Sequence, residues 1–449
     1  MILKLVRLLK NILPDTINFR DKIIFKWIKY LLHPFYMWYY HIKLKKIQQS
    51  HSVALKEVLG KQKIKVVFFL INDSVWKYDR IYKLMDADGH FDPLVVVCPY
   101  VVYGESTMFE DMKKAHSFCQ KKGYNVISSY NSATNQWIDV KKDIKPDLVF
   151  FTNPHELTKD EYYIRNYLDT LTCYVQYSFH ITHLHHLQYN QKFHNYIWKN
   201  FCETKIHQDF AKKYAANKGI NTVVSGYPAI DVYFDKNYIP EDVWKLKDRN
   251  ILRIIWAPHH TIPDQGADLN YSNFLKYADK MFDLINEYND KIQIAFKPHP
   301  ILRPKLQHDS VWGKSRTDQY YSKWASLLNG QLVDSEYSDL FLTSDALVHD
   351  SASFMTEYLC TNKPSLFLVS DPGIKDRFNE FGKEVFELHY QADSIDGIRM
   401  FIDEVLISKK DDKKVGRENF ISKSIVPPNG KSASENIIEE LLISIFKQK

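Results

Sequence analysis

Residues 64–70 read Ile64-Lys65-Val66-Val67-Phe68-Phe69-Leu70, and the polar residues Asn72-Asp73-Ser74 follow almost at once. A short run rich in β-branched and aromatic residues, closed by turn-forming residues, is typical of a parallel strand that is buried on both faces. Parallel strands need crossover connections, which are usually helices. This stretch therefore predicts an α/β sheet that begins near residue 63, with a loop after its first strand.

Similar runs recur along the chain and alternate with helical stretches such as 107–122. The runs in the first half are 93–97, 147–151 and 173–175, and they resume at 222–224, 253–256, 293–296, 346–348 and 365–369. Strands that alternate with helices predict two Rossmann-like units. We expect a first domain at 51–233, a linker at 234–249, a second domain at 250–430 and a closing helix at 431–449.

Length and composition agree with two globular domains. The chain has 449 residues, of which 45% are hydrophobic and 25% are charged, and a chain of this length exceeds one ordinary core. The five cysteines are scattered and form no CxxC pair. The sequence therefore predicts neither a disulfide framework nor a zinc ribbon, and it favours a reducing cytoplasm.

The first fifty residues carry much of the positive charge. Residues 1–46 contain ten basic and two acidic side chains, a local balance of +8 against +6 for the whole chain. Lys26, Lys29 and His33 interrupt every apolar run before it could span a bilayer. We expect residues 1–50 to form an amphipathic helical segment that lies on an anionic membrane surface. A helical pair packed on the body is the alternative, and no motif supports nucleic-acid binding.

Cationic and imidazole groups follow two strands of the second unit. His259 and His260 come after the strand at 253–256, and Lys297 and His299 come after the strand at 293–296. In open α/β sheets, ligands bind beyond the carboxyl ends of the strands. These four residues are therefore predicted to contact an anionic ligand.

A third strand end, at 348–357, contains Ser351, Ser353 and Glu357. Asp350 or Ser351 is expected to cap a helix whose first amides bind phosphate. Glu357 lies inside that helix, where its carboxylate can accept both hydroxyls of a ribose. An ordinary capped helix with a surface glutamate is the alternative.

Five histidines lie between His180 and His194, after the strand at 173–175. No cysteine or acidic residue is spaced to complete a zinc site, so no metal is predicted. One imidazole that faces the cleft between the domains is instead expected to act as a general base near neutral pH. His180 is the predicted base.

Five motifs in order resemble the CDP-glycerol glycerophosphotransferases of teichoic-acid-type polymer synthesis. The motifs are Ser225-Gly226-Tyr227-Pro228-Ala229-Ile230-Asp231, Ala257-Pro258, Lys297-Pro298-His299-Pro300, Asp339-Leu340-Phe341 with His349-Asp350-Ser351-Ala352-Ser353, and Asn429-Gly430-Lys431-Ser432-Ala433-Ser434-Glu435. The resemblance covers a little over half the chain. It implies the glycosyltransferase-B architecture, in which two Rossmann-like domains face each other across a cleft.

The resemblance also implies roles for individual residues. His299 would contact the transferred phosphate, residues 351–353 would hold the pyrophosphate, Glu357 would bind the cytidine ribose, and His180 would act as the base. Three positions depart from the family pattern: Ile181 and Ala229 replace a glycine and an arginine, and Thr261 replaces an arginine. The first departure leaves the base open among His180, His183 and a neighbour. His259 or His260 is expected to substitute for the missing cations.

The function implied is an enzyme that transfers glycerol phosphate, or a related polyol phosphate, from a CDP-activated donor. The acceptor is expected to be a hydroxyl of a cell-envelope glycan or lipid-linked molecule, at the cytoplasmic face of the plasma membrane. No cofactor beyond the nucleotide donor is predicted. Two alternatives stay open: a nucleotide-sugar glycosyltransferase of capsule or lipopolysaccharide synthesis, and a noncatalytic partner in envelope assembly.

Overall fold

A computed structural model describes residues 19–102, 104–248, 250–262, 270–334 and 336–446, with side chains from His33 onward. The strands are β1 Ile64–Leu70, β2 Phe91–Val97, β3 Val126–Ser128, β4 Tyr130–Asn131, β5 Gln136–Trp137, β6 Leu148–Phe151, β7 Leu171–Val175, β8 Lys199–Cys202, β9 Thr222–Val224, β10 Leu252–Ala257, β11 Ile292–Phe296, β12 Gly330–Leu332, β13 Ala346–His349, β14 Ser365–Leu368 and β15 Tyr390–Ala392.

The α-helices are α1 Phe19–Val58, α2 Asp79–Ala87, α3 Glu105–Lys121, α4 His185–Tyr189, α5 Lys192–Tyr196, α6 Lys205–Tyr214, α7 Asp231–Phe234, α8 Phe274–Glu287, α9 Leu302–His308, α10 Gly313–Ser326, α11 Ser338–Thr343, α12 Ala352–Leu359, α13 Glu380–Glu387, α14 Ile395–Met400, α15 Lys414–Phe420 and α16 Ala433–Phe446. Short 3₁₀ and π turns complete the described structure.

Two parallel sheets form the framework. The first contains seven strands in the order β3-β2-β1-β6-β7-β8-β9, and the second contains six in the order β12-β11-β10-β13-β14-β15. In both sheets the first strand of the unit lies in the middle, with the chain running outward on each side, which is the Rossmann arrangement. The predicted α/β class with two Rossmann-like units is confirmed.

The central strands owe their position to their composition. Strand β1 is apolar on both faces, and it pairs with β2 on one side and β6 on the other. The sequence predicted nine of the strands in these two sheets and missed β3, β8, β12 and β15. The missed strands have three or four residues each, and β3, β12 and β15 lie at sheet edges. The predicted boundaries at 51–233, 234–249 and 250–430 stay a prediction.

Helix α1 packs against the first sheet over its second half. Tyr40, Leu44 and Ile47 share a core cluster with residues of β1 and β6, so this part of the segment packs on the body as the alternative proposed. Phe35 and Trp38, which precede Tyr40 on the same helix, are 59% and 68% exposed. The predictions for residues 1–18, and for the side chains of residues 19–32, lie outside the described residues.

Helix α16 packs on the first sheet. Ile437, Leu441 and Ile445 are fully buried in the core cluster that also contains Ile64 of β1. The chain therefore crosses back from the second sheet, and its last helix covers the first sheet.

Two of the five quoted motifs form the joint that anchors α16. The Asp231 carboxylate accepts the main-chain N–H groups of Ala433 and Ser434 at 2.8 and 3.0 Å. Gly226 has φ of +92°, and a Cβ there would approach Pro427 Cβ to 2.8 Å. The first motif thus caps the helix that the last motif begins, and its aspartate and glycine have a structural role.

Replacing Asp231 by alanine should lower the free energy of unfolding by about 1 to 2 kcal/mol, because two N–H groups at the start of α16 lose their acceptor. The free energy of unfolding is measured by urea denaturation. The control is Asp209→Ala, which removes a carboxylate that pairs with Lys205 on the surface and should change stability by less than about 1 kcal/mol. Equal effects of the two changes would contradict the capping role.

Candidate active site

The carboxyl ends of three neighbouring strands meet at the middle of the second sheet. Strand β10 pairs with β11 on one side and with β13 on the other. The order of the strands reverses at β10, so this edge is the crevice where ligands bind in such sheets. The structure brings His259, His260, Lys297, His299 and the segment 351–353 to this one edge. In the sequence, each of them follows the end of a predicted strand.

The three histidines form a compact cluster. The ring centres of His260 and His299 are 4.3 Å apart, and those of His259 and His299 are 5.4 Å apart. Each ring contributes one nitrogen to a set of three, and these three nitrogens all lie within 4.8 Å of one another. Nitrogens at this spacing can all reach one oxygen of an anion, since N–H donors about 2.9 Å from a common oxygen are about 4.7 Å apart.

Hydrogen bonds fix the tautomers of two of these rings. The main-chain N–H of Ile301 donates to His299 Nδ1 at 3.2 Å. Thr261 faces His259 Nδ1 with its N–H at 3.4 Å and its Oγ1 at 3.0 Å, and this Oγ1 already accepts two main-chain hydrogens, so its own hydrogen is free to point at the ring nitrogen. A ring nitrogen that accepts a hydrogen carries none, so the hydrogen of each neutral ring is on Nε2. His259 and His299 therefore offer N–H donors.

Burial keeps the cluster neutral. Desolvation lowers the pKa of His260 to about 4, with the Lys305 ammonium adding to the effect. Desolvation also holds the pKa values of His259 and His299 well below their ordinary value. At neutral pH the cluster is thus an array of polar, uncharged groups.

Asp350 organises the loop beneath the histidines. Its carboxylate accepts the main-chain N–H groups of His259 and Asn273, each at 2.5 Å, and burial raises its pKa to about 7. Ser351 occupies the N-cap position of α12, as expected for one of the two candidates, but its side chain makes no capping hydrogen bond. The carboxylate of Asp350 is already engaged by the β10 loop.

The start of α12 consequently keeps its first amides for a ligand. The Ser351 and Ser353 hydroxyls lie 3.1 Å apart. The His349 ring donates from Nδ1 to the Ser351 carbonyl at 3.0 Å, which holds the turn in place. A helix start with free amides and two hydroxyls is suited to bind phosphate.

Lys297 adds a buried cation to the same edge. The residue is 5% exposed. Burial lowers the pKa of its ammonium to about 8, while the negative charge of the nearby Asp334 raises it. Its Nζ lies 6.0 Å from the centre of the Tyr337 ring. An ammonium held in this way gains from an anionic ligand, because burial without a close counter-ion is costly.

Glu357 is enclosed by contacts from both domains. It is 1% exposed, and its carboxylate accepts hydrogen bonds from the hydroxyls of Tyr337 at 2.5 Å and Tyr227 at 3.3 Å. Lys77, from the loop after β1, lies 3.8 Å from the carboxylate and donates to the Tyr337 hydroxyl at 2.7 Å. A ribose could reach Glu357 only by displacing these groups.

His180 lies on the other side of the interdomain seam, and it is 2% exposed. Its Nδ1 lies 3.6 Å from the Glu203 carboxylate, which also accepts the His180 main-chain N–H at 3.1 Å. Burial lowers the pKa of His180 and raises that of Glu203 to about 8. Asn379 of the second domain donates to the His180 carbonyl at 2.7 Å, so this segment is held against the second domain.

Sequence reasoning missed four polar residues of the site: Lys77, Glu203, Tyr227 and Tyr337. Tyr227 lies within a quoted motif, and Lys77 follows the carboxyl end of β1, so the strand-end rule could have found both. Glu203 and Tyr337 stand in segments without a distinctive pattern. Their roles arise from contacts between residues distant in the sequence.

Comparison with solved structures identifies the fold as glycosyltransferase-B. A variant of the Wall Teichoic Acid Polymerase TagF superposes with a TM-score of 0.54 at 15% identity, covering 92% of this chain and 98% of that one. A putative UDP-N-acetylglucosamine 2-epimerase from Listeria monocytogenes gives a TM-score of 0.54 at 12% identity, covering 87% and 98%. The predicted architecture is therefore confirmed.

Residues 168–386 match the model of the CDP-Glycerol:Poly(glycerophosphate) glycerophosphotransferase family. Over 191 residues the chain is 28% identical to the teichoic acid poly(ribitol-phosphate) polymerase of Bacillus spizizenii, covering 40% of this chain and 28% of that protein. Over 189 residues it is 24% identical to the teichoic acid ribitol-phosphate polymerase TarL of Staphylococcus aureus, covering 38% and 31%.

Residues 168–386 are thus similar to the CDP-glycerol glycerophosphotransferase family, the family that the motifs resemble. The chain spans less than a third of the length of the two curated relatives that it matches.

Proposed function

We propose that this protein transfers a polyol phosphate, glycerol phosphate or a relative of it, from a CDP-activated donor to a hydroxyl of a cell-envelope acceptor. The observation that supports this most is the convergence of three imidazoles, a buried ammonium and an uncapped helix start at one strand edge. That arrangement suits a diphosphate, because it supplies N–H donors and positive charge, while the nearby Asp350 carboxylate is engaged by main-chain N–H groups.

In the proposed reaction the acceptor oxygen bonds to the β-phosphorus as the bond from that phosphorus to the CMP oxygen breaks. CMP leaves, and the acceptor proton passes to the base, for which His180 beside Glu203 is our candidate. Negative charge spreads over the phosphate oxygens in the transition state. Lys297, His299 and the amides of residues 351–353 would stabilise that charge.

The proposal is tested by incubating the protein with CDP-glycerol, CDP-ribitol and a set of UDP-sugars, with release of CMP or UDP and thermal shift as readouts. Stabilisation and CMP release with a CDP-polyol alone is the expected result. A response to a UDP-sugar alone would support the glycosyltransferase alternative. Absence of any response would favour the noncatalytic partner and contradict the proposed transfer.

Glu357 is proposed to bind the ribose of the donor once Lys77 and Tyr337 have moved away. In the structure the Tyr337 hydroxyl and the Lys77 ammonium lie against the two oxygens of this carboxylate. The two hydroxyls of a ribose would need the same oxygens. Donor binding therefore competes with these contacts between the domains.

Replacing Tyr337 by phenylalanine should tighten binding of CDP-glycerol by about three- to tenfold, because it removes the hydroxyl that competes for Glu357. Replacing Glu357 by glutamine should instead weaken binding by about 1 to 3 kcal/mol. Both affinities are measured by isothermal titration calorimetry.

The control for this pair is Tyr238→Phe, which removes a hydroxyl that donates to Asp339 at 2.6 Å and does not contact Glu357. Its affinity for CDP-glycerol should equal that of the unaltered protein. If Tyr337→Phe weakened binding, the Tyr337 hydroxyl would be a donor contact and not a competitor. If Glu357→Gln left the affinity unchanged, Glu357 would be outside the site.

We also propose that the protein works at the cytoplasmic face of the plasma membrane, attached through the first part of α1. Phe35, Trp38 and Tyr39 are 59%, 68% and 48% exposed on this helix, and the surrounding sequence is strongly basic. Aromatic rings and lysines together suit the headgroup region of an anionic bilayer. Among the described residues, no helix combines the length and apolar character needed to cross a bilayer.

The variant Trp38→Ser with Tyr39→Ser should bind vesicles of phosphatidylglycerol about tenfold or more weakly, because two aromatic side chains no longer leave water. Binding is measured by cosedimentation with vesicles. The control is Leu328→Ser, which changes a side chain that is 77% exposed elsewhere on the surface. Unchanged binding by the double variant would show that these aromatic residues contact something other than lipid.

A further inference from the structure

The three clustered histidines differ in the hydrogen-bonding capacity that remains to them. Nδ1 of His259 and Nδ1 of His299 already accept main-chain hydrogens. Protonating either ring would put a hydrogen on Nδ1 that faces an N–H donor, which is unfavourable. Nδ1 of His260 is enclosed and has no hydrogen-bond partner among the residues that the structure describes. His260 is therefore the ring of the cluster that can gain a proton without losing a hydrogen bond.

Burial and the charged groups around the cluster determine the pKa of His260 and so the pH at which it binds a proton. Among the described residues, the Lys305 and Lys297 ammoniums act on the rings and oppose another positive charge. The Asp350 carboxylate accepts the main-chain N–H of His259. Burial and Lys305 keep His260 neutral before a donor binds. A bound diphosphate would reverse this balance, because an adjacent anion favours the charged form of a histidine.

We infer that His260 takes up a proton when the donor diphosphate binds, while His259 and His299 remain neutral N–H donors. The inference rests on the proposed function, since it assumes a nucleotide diphosphate in this site. The proton comes from solvent and completes the imidazolium of His260, whose charge then faces the phosphate oxygens. The cluster therefore gains a positive charge only in the complex, whereas an arginine at this position would carry its charge permanently.

This mechanism links donor affinity to pH in one direction. The pKa of His260 is about 4 in the protein alone and higher in the complex, so the affinity rises as the pH falls between the two pKa values. The limiting slope is about tenfold per pH unit. The diphosphate of CDP-glycerol is esterified at both ends and does not titrate near neutral pH, so it adds no proton of its own.

The experiment is calorimetric titration of CDP-glycerol into the full chain, without acceptor, in EDTA and in buffers of different ionisation enthalpy. Between about pH 8 and about pH 6 we expect the affinity to rise about five- to fiftyfold. Proton uptake should approach one per donor at the lower pH. His260→Gln should still bind CDP-glycerol, more weakly, with no proton uptake and little dependence on pH.

The control is His308→Gln, which alters an exposed histidine whose ring bonds the Pro304 carbonyl and should leave proton uptake unchanged. Proton uptake that persists in His260→Gln would assign the proton to another group, such as Asp350, and overturn the inference. Binding by the unaltered protein without proton uptake would overturn it as well, while the proposed function would stand.

Two further outcomes separate the inference from its rivals. Binding that disappears in EDTA and returns with Zn²⁺ would mean that the three rings hold a metal ion, and the inference would be wrong. If CDP-glycerol failed to bind at every pH, with and without metal, the proposed function itself would fail.

Discussion

The pairing of β10 with β11 on one side and with β13 on the other is the interaction on which the site depends. Because these strands are parallel and in register, Ala257, Phe296 and His349 end at one edge of the sheet. The loops that follow carry the histidines, the buried lysine and the start of α12. Apolar pairing inside the sheet therefore positions polar groups that are far apart in the sequence.

Burial at this edge determines the chemistry of the groups. Lys297 keeps an ammonium with a lowered pKa, and the histidines remain neutral because their surroundings exclude water. Such groups form strong interactions with an anion, since water screens them little. The Asp350 carboxylate lies close to the cluster, but it is engaged by main-chain N–H groups. It thus supports the loop after β10 and leaves the anion site to the N–H groups of the histidines and of α12.

The sequence predicted the sheets and most of the site because apolar runs mark central strands and polar residues follow their ends. It could not predict the interdomain contacts, since the pairing of Lys77 and Tyr337 with Glu357 depends on how the two domains meet. It also left open which of Asp350 and Ser351 occupies the N-cap of α12, because a capping residue and a loop anchor look alike in sequence. The role of Asp231 as the cap of α16 links residues about two hundred positions apart.

The proposed function requires that the edge formed by β10, β11 and β13 holds the donor diphosphate. The most direct measurement is an experimental structure of the protein with CDP bound. We predict that the β-phosphate lies among His259, His260 and His299 and against the start of α12, with the ribose at Glu357 and the Tyr337 hydroxyl displaced. A diphosphate bound at the first sheet, or a ribose remote from Glu357, would contradict this placement of the donor.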